Sequence, residues 1–204
     1  MELPNILVAI FAAMCHGTAF IVYNIQVRDG SSSPNPASWA VWAFLSLLNT
    51  TSYLVMSDSW LASAQFLVGM VGCCFTFLKS LVGGKFSPLE KKEWRVLAIG
   101  LLAAVVWWKF KNAAAGNMII LLAAMIGFWP TLQGVWANPF KEKPFAWKVW
   151  SLAFLLSIIN LVSMGAGWIT FVTPGVLLIA HFTIAVLSAD WRKNEYVAEG
   201  CQTD

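Results

Sequence analysis

The sequence predicts an all-α integral membrane protein: seven transmembrane helices as 3+1+3, with two parallel three-helix repeats. Three observations carry that expectation. Of the 204 residues 59% are hydrophobic and only 11% charged, at a mean hydropathy of +0.70, more apolar surface than one soluble core can bury. Seven stretches have the roughly 20 mostly apolar residues that cross ~30 Å of hydrocarbon. The chain also repeats itself at an offset of 108 residues, from Trp39 to Trp147.

The predicted spans cover 4–26, 37–56, 60–82, 93–110, 114–136, 145–164 and 168–189. The first opens Met1-Glu2-Leu3-Pro4 without a basic leader and is read as a retained span rather than a cleaved signal. Trp39 and Trp42 open the second. The third carries Gly69, Gly72 and Cys73, and the fourth Gly100 and Ala104, small residues that let helices approach closely. Between them the mixed charges and Pro88 of 85–93 read as a solvated loop. The fifth ends in Pro130-Thr131-Leu132-Gln133, the sixth opens with Trp147 and Trp150, and the seventh starts at Trp168. After Asp190 the chain is short and polar, which predicts a mobile tail. The expected units are repeat 1 (1–84), a loop with an inverting linker helix (85–112), repeat 2 (113–191) and a tail (192–204).

Orientation follows from the basic residues. Arg28, Lys85, Lys91, Lys92, Lys141, Lys143, Arg192 and Lys193 fall on one side, with Lys79, Arg95 and Lys148 within snorkelling reach. The other side has only Lys109 and Lys111. The positive-inside rule therefore predicts a multi-pass protein of the cell (inner) membrane, N-terminus outside and C-terminus cytoplasmic. The net charge of +3 is too small to suggest a nucleic-acid partner. Cys15, Cys73, Cys74 and Cys201 show no metal-ligand or disulfide spacing, so no metal and no cofactor is expected.

The repeat is gapless over 36–60, where Pro36, Trp39, Val41, Trp42, Leu47, Leu48, Met56 and Trp60 recur as Pro144, Trp147, Val149, Trp150, Leu155, Leu156, Met164 and Trp168. Upstream it pairs Phe20 with Phe128 and Val27 with Val135. Three spans and a linker separate the copies, so both enter the membrane from one side. In transporters of this plan the site lies between the repeats near the midplane.

With its 3+1+3 plan, its length, its orientation and the Pro130–Gln133 segment, the chain resembles the PQ-loop/SWEET (MtN3-like) transporter superfamily over nearly its whole length. The family's adjacent Pro-Gln is split here, and Val22 stands in the first repeat where the second has Pro130. The resemblance implies hinge roles for Pro130 and Gln133 and a rocking motion of one repeat against the other. Nicotinamide-riboside carriers share the 3+1+3 layout and are a related option. A retinal protein is set aside because the seventh span has no Lys.

Candidate site residues come from the polar pattern of the second and sixth spans. Asn49 lies about 20° round the helix from Trp42, bordered by Ser52; the second copy gives Trp150, Ser157 and Asn160. The amides either face a central cavity and meet a hydroxylated or amide-bearing solute, or bond neighbouring helices. Belt anchoring at the two membrane boundaries accounts for Trp39, Trp42, Trp147 and Trp150 on one side and Trp60, Trp107, Trp108 and Trp168 on the other, with Trp42 and Trp150 the best stacking candidates. His16 and His181 are intramembrane ionisable groups that either relay a proton or bond a neighbouring helix. No acid appears within the spans to partner them, which argues against proton coupling. Gln65 and Thr173 are read as lining an outer vestibule. The resulting expectation is a passive carrier for a small polar solute such as a sugar, with lipid as its surroundings. The alternative is a non-transporting receptor, scaffold or complex subunit, as a homo-oligomer or with a membrane-protein partner. No paired nucleophile and base points to an enzyme.

Overall fold

The computed structural model describes residues 3–32, 36–82 and 91–198. Among them there are eight α-helices and no strand: α1 (Leu3–Arg28), α2 (Pro36–Ser57), α3 (Trp60–Val82), α4 (Lys91–Phe110), α5 (Ala113–Ala137), α6 (Pro144–Ser163), α7 (Val172–Leu187) and α8 (Asp190–Ala198). Short 3-10 turns, Pro139–Lys141 and Trp168–Phe171, precede α6 and α7. The expected repeat boundary at 84, most of the expected 85–93 loop, and Cys201 lie outside the described residues.

Six helices, all but α4 and α8, are long and apolar enough to cross a membrane, α7 together with its leading 3-10 turn. Their outward faces carry Leu7, Phe11, Met14, Ile21, Leu122 and Phe182. So much exposed apolar surface is consistent with a multi-pass membrane protein. The fourth predicted span forms a helix of 20 residues, but composition keeps it out of the six. Lys91, Lys92, Glu93 and Arg95 crowd its start and Lys109 sits at its end, leaving 96–108 as the uncharged stretch.

Packing follows a simple rule of partners. Helix α3 packs against both α1 and α2, and α7 against both α5 and α6; across these triples α1 meets α6 and α2 meets α5. Exchanging α1, α2, α3 for α5, α6, α7 leaves that set unchanged. Helix α4 stands outside it, against α5 and α2.

Small residues set the closest approach, as their spacing predicts. A Cβ at Gly69 would sit 2.9 Å from His16 Nε2, and one at Gly72 would run into the Phe20 ring. Asn24 Nδ2 then donates to Thr76 Oγ1 across the same α1–α3 seam at 2.9 Å.

Two differences from expectation have local causes. Residues 168–171 are a 3-10 turn because Pro174 has no N–H to offer the carbonyl of Thr170. That oxygen accepts instead from Tyr53 Oη of α2, at 2.8 Å. The tail expected to be mobile is, up to Ala198, the helix α8. It is held by Arg192 over the Trp136 ring, Lys193 over Phe140, and a Phe140–Tyr196 ring contact.

Candidate functional site

A cavity of about 330 Å³ lies within the bundle, lined from α1, α2, α3, α5, α6, α7 and the 138–143 connection. Helix α4 contributes none of its lining. Of the predicted site residues, His16, Trp42, Asn49, Pro130, Trp150 and His181 line it. Ser52, Ser157 and Asn160 are buried but off the cavity, and Gln133 is exposed on α5.

The walls are mostly aromatic. Phe20 of α1 meets Trp150 of α6 edge-on at 5.1 Å, and Phe128 of α5 meets Trp42 of α2 at 4.4 Å. Both members of the second pair stand at the 108-residue offset from the first. The same offset relates Trp39 to Trp147, Tyr23 to Thr131, His16 to Ala124 and Cys73 to His181, all of them lining residues. The expected belt therefore needs correcting on one side. Trp39, Trp147 and Trp150 are buried in the core and Trp42 packs against it, whereas Trp60, Trp108 and Trp168 are exposed. The inner four point inward because Tyr23, Phe20 and Phe128 offer them ring edges, worth ~0.5–1.5 kcal/mol per pair beyond burial.

The two histidines come together although they are not repeat equivalents. Each ring touches Phe154, His16 at 5.3 Å and His181 at 5.0 Å. Their hydrogen bonds give them opposite tautomers. Gln65 Nε2 donates to His16 Nδ1 at 3.2 Å, leaving the neutral ring's hydrogen on Nε2. His181 Nδ1 lies 2.7 Å from the Leu177 carbonyl, which only accepts, so its Nε2 is the free acceptor. Within this wall Trp150 Nε1, a donor, is buried without a partner.

Two residues that sequence reasoning passed over organise the site. Asn117 of α5 is completely buried. Its Nδ2 donates to Asn49 Oδ1 (3.0 Å) and Ser52 Oγ (2.9 Å), and its Oδ1 accepts from Thr173 Oγ1 (2.6 Å). Asn49 and Ser52 thus bond a neighbouring helix, and of the two only Asn49 also reaches the cavity. Gln65 and Thr173 are likewise buried bonding groups and do not line the cavity.

Glu142 is the second. It caps the 3-10 turn Pro139–Lys141, which Asn138 opens by accepting from the Phe140 N–H. Prolines 139 and 144 brace this short connection and turn the acid inward, 5% exposed, where it lines the cavity. Tyr23 Oη donates to its Oε1 at 3.4 Å and Trp147 Nε1 to its Oε2 at 3.2 Å. Burial pushes its carboxyl up to about 7, while hydrogen bonds from Trp147, Ser32 and Tyr23 pull the other way. Glu142 lies in the 138–143 connection, outside the spans in which the sequence was searched for an acid, and it lines the same cavity as His16 and His181. No family model, no curated protein and no solved structure matches the chain.

Proposed function

We propose that the chain is a membrane carrier for a small polar solute, working by alternating access between two parallel three-helix repeats, α1–α3 and α5–α7, with α4 as the seventh span that links them. The observation that carries this reading is the cavity in whose lining three ring pairs recur at the 108-residue offset, Phe20 with Phe128, Trp39 with Trp147 and Trp42 with Trp150, so that the Phe20–Trp150 contact maps onto Phe128–Trp42. These rings stand where the triples meet, α1 against α6 and α2 against α5, so one triple tilting on the other would open the cavity to one side or the other. Pro130, inside α5 and on the cavity wall, supplies a point of bending because the carbonyl four residues earlier loses its helical donor. The polar groups at hand, His16, His181, Asn49 and the Trp150 indole, suit a solute with both donors and acceptors. The likeness to the PQ-loop/SWEET superfamily is part of the same proposal.

The reading is tested by uptake into proteoliposomes of a labelled panel of sugars, amino acids and vitamins, together with Trp42→Ala and Trp150→Ala. Flux of at least one solute, reduced in both variants, is expected; a folded protein that moves none of them refutes the carrier and leaves the receptor or subunit reading, which the missing proline at Val22 favours. Seven spans are tested separately by tags on the two ends. With α4 across the membrane the tags are protease-sensitive on opposite sides; tags on the same side would refute it.

A further inference from the structure

The carrier reading leaves open what the solute's charge is, and Glu142 bears on that. Among the described residues it is the one acid on the cavity lining. Its partners there, Tyr23 Oη, Trp147 Nε1 and the Ser32 hydroxyl, are neutral donors, and among the described residues no ion pair involves it. The titratable and charged groups around it are Tyr23 from α1 and the flanking Lys141 and Lys143 of its own connection; both lysines are exposed, Lys141 also reaches the cavity lining without pairing with Glu142, and Lys143 also acts on Asp29. A carboxylate held in that setting is under-compensated.

What surrounds it decides the kind of counter-charge. Tyr23 and Trp147, its two aromatic donors, lead directly into a ring cluster: Tyr23 lies 5.3 Å from Trp39 and 5.5 Å from Trp150, and Trp147 lies 5.1 Å from Trp150. A metal ion wants several oxygen ligands, and among the described residues no group of three acids, histidines or cysteines is placed to hold one. Electron-rich ring walls with one carboxylate instead suit a compact organic cation, whose charge is spread over apolar groups that the rings attract and desolvate.

We infer that Glu142 is the charge-recognition group of the cavity, binding a monovalent organic ammonium whose apolar body packs among Tyr23, Trp39, Trp147 and Trp150. The inference rests on the carrier reading for its setting, but binding alone tests it. Where the carboxyl is protonated, binding releases that proton as the ammonium takes its place, with one proton leaving for each cation bound. Exchange of this kind would couple the solute to the proton gradient.

The probe is choline, compared with 3,3-dimethylbutan-1-ol, the neutral molecule of the same shape, by tryptophan fluorescence on the full chain in nanodiscs. At pH 8 choline should bind at least about tenfold tighter than the alcohol, and Glu142→Gln should abolish that preference. In the native protein choline affinity should fall as the pH drops below about 7, by up to about tenfold per pH unit until it reaches the alcohol's, which stays level. Because this pH series needs no substitution, a misfolded variant does not rescue the idea. Equal affinity for the two probes, no binding of choline, a pH-independent choline affinity, or a Gln variant that keeps the preference each overturns it. Solute flux that survives Glu142→Gln with no preference for cations would sink this inference and leave the carrier standing; choline binding without flux would do the reverse.

Discussion

Removing the Asn117 side chain should weaken the bundle more than any other single polar change on α5. Its amide joins three helices through bonds to Asn49 and Ser52 of α2 and from Thr173 of α7, all between 2.6 and 3.0 Å. Interhelical bonds of this type average ~0.6 kcal/mol each, so three come to about 2 kcal/mol. Asn117→Ala also strands the Thr173 hydroxyl, which is wholly buried and bonds no second acceptor among the described residues, and this raises the cost to roughly 3 kcal/mol. The assay is unfolding by SDS in bicelles, followed by tryptophan fluorescence, with Thr173→Val and the double variant completing a cycle. The coupling between the two sites should be ~0.6–1.7 kcal/mol, since the valine removes the donor without changing the shape. A loss below about 0.5 kcal/mol for Asn117→Ala, or strict additivity with Thr173→Val, would show that the network adds nothing to stability.

Gly72→Ala should destabilise the protein by ~1–3 kcal/mol, because its methyl meets the buried Phe20 ring; a companion Phe20→Leu should recover part of the loss in the same unfolding assay. Tyr53→Phe should cost about 1 kcal/mol by stripping the Thr170 carbonyl of its donor, and should cost less in a Pro174→Ala background, where a backbone N–H becomes available; equal costs in both would contradict the account of the 3-10 turn. Glu142 sets a pH dependence. Its folded pKa of about 7 lies above its ordinary 4.5, so its contribution is fully present below about 4.5 and is lost as the pH rises through about 7. Thermal stability should therefore fall across that window in the native protein and lose this component in Glu142→Gln; a slope unchanged by the substitution would refute the assignment.

The helices were legible because a chain this apolar has one way to satisfy its backbone. In the bilayer that the membrane reading supplies there is no water, so each N–H and C=O must pair within its own helix, and an apolar run and a helix coincide. The predicted 60–82 and 114–136 accordingly lie within one residue of α3 and α5 at either end. The exceptions are local. A four-residue 3-10 turn at 168–171 is hidden inside an apolar run that reads as one span, although Pro174 was the available signal. Helix α8 is too polar to announce itself, and what holds it is the Trp136 and Phe140 rings, which no local pattern ties to Arg192 or Lys193.

The site was legible in its rings and less so in its polar groups, and the reason lies in how the two are distributed. Six of the lining rings come in offset pairs, so comparing the chain with itself finds them: Phe20 and Phe128, Trp39 and Trp147, Trp42 and Trp150. The polar groups break the pairing. His16 faces Ala124 across the offset, His181 faces Cys73, and Asn117 stands opposite Ala9. Asn117 could have been flagged as a lone amide in an apolar run. Glu142 could not, since an acid between Lys141 and Lys143 reads as solvated surface until the two prolines turn it inward. Under the carrier reading this division has a physical consequence. Walls that repeat would accept a solute in two orientations of equal energy. Polar groups that do not repeat, Glu142 in the connection before α6 and an imidazole pair of opposite tautomers beside Phe154, give the two orientations different energies and so hold the solute in one.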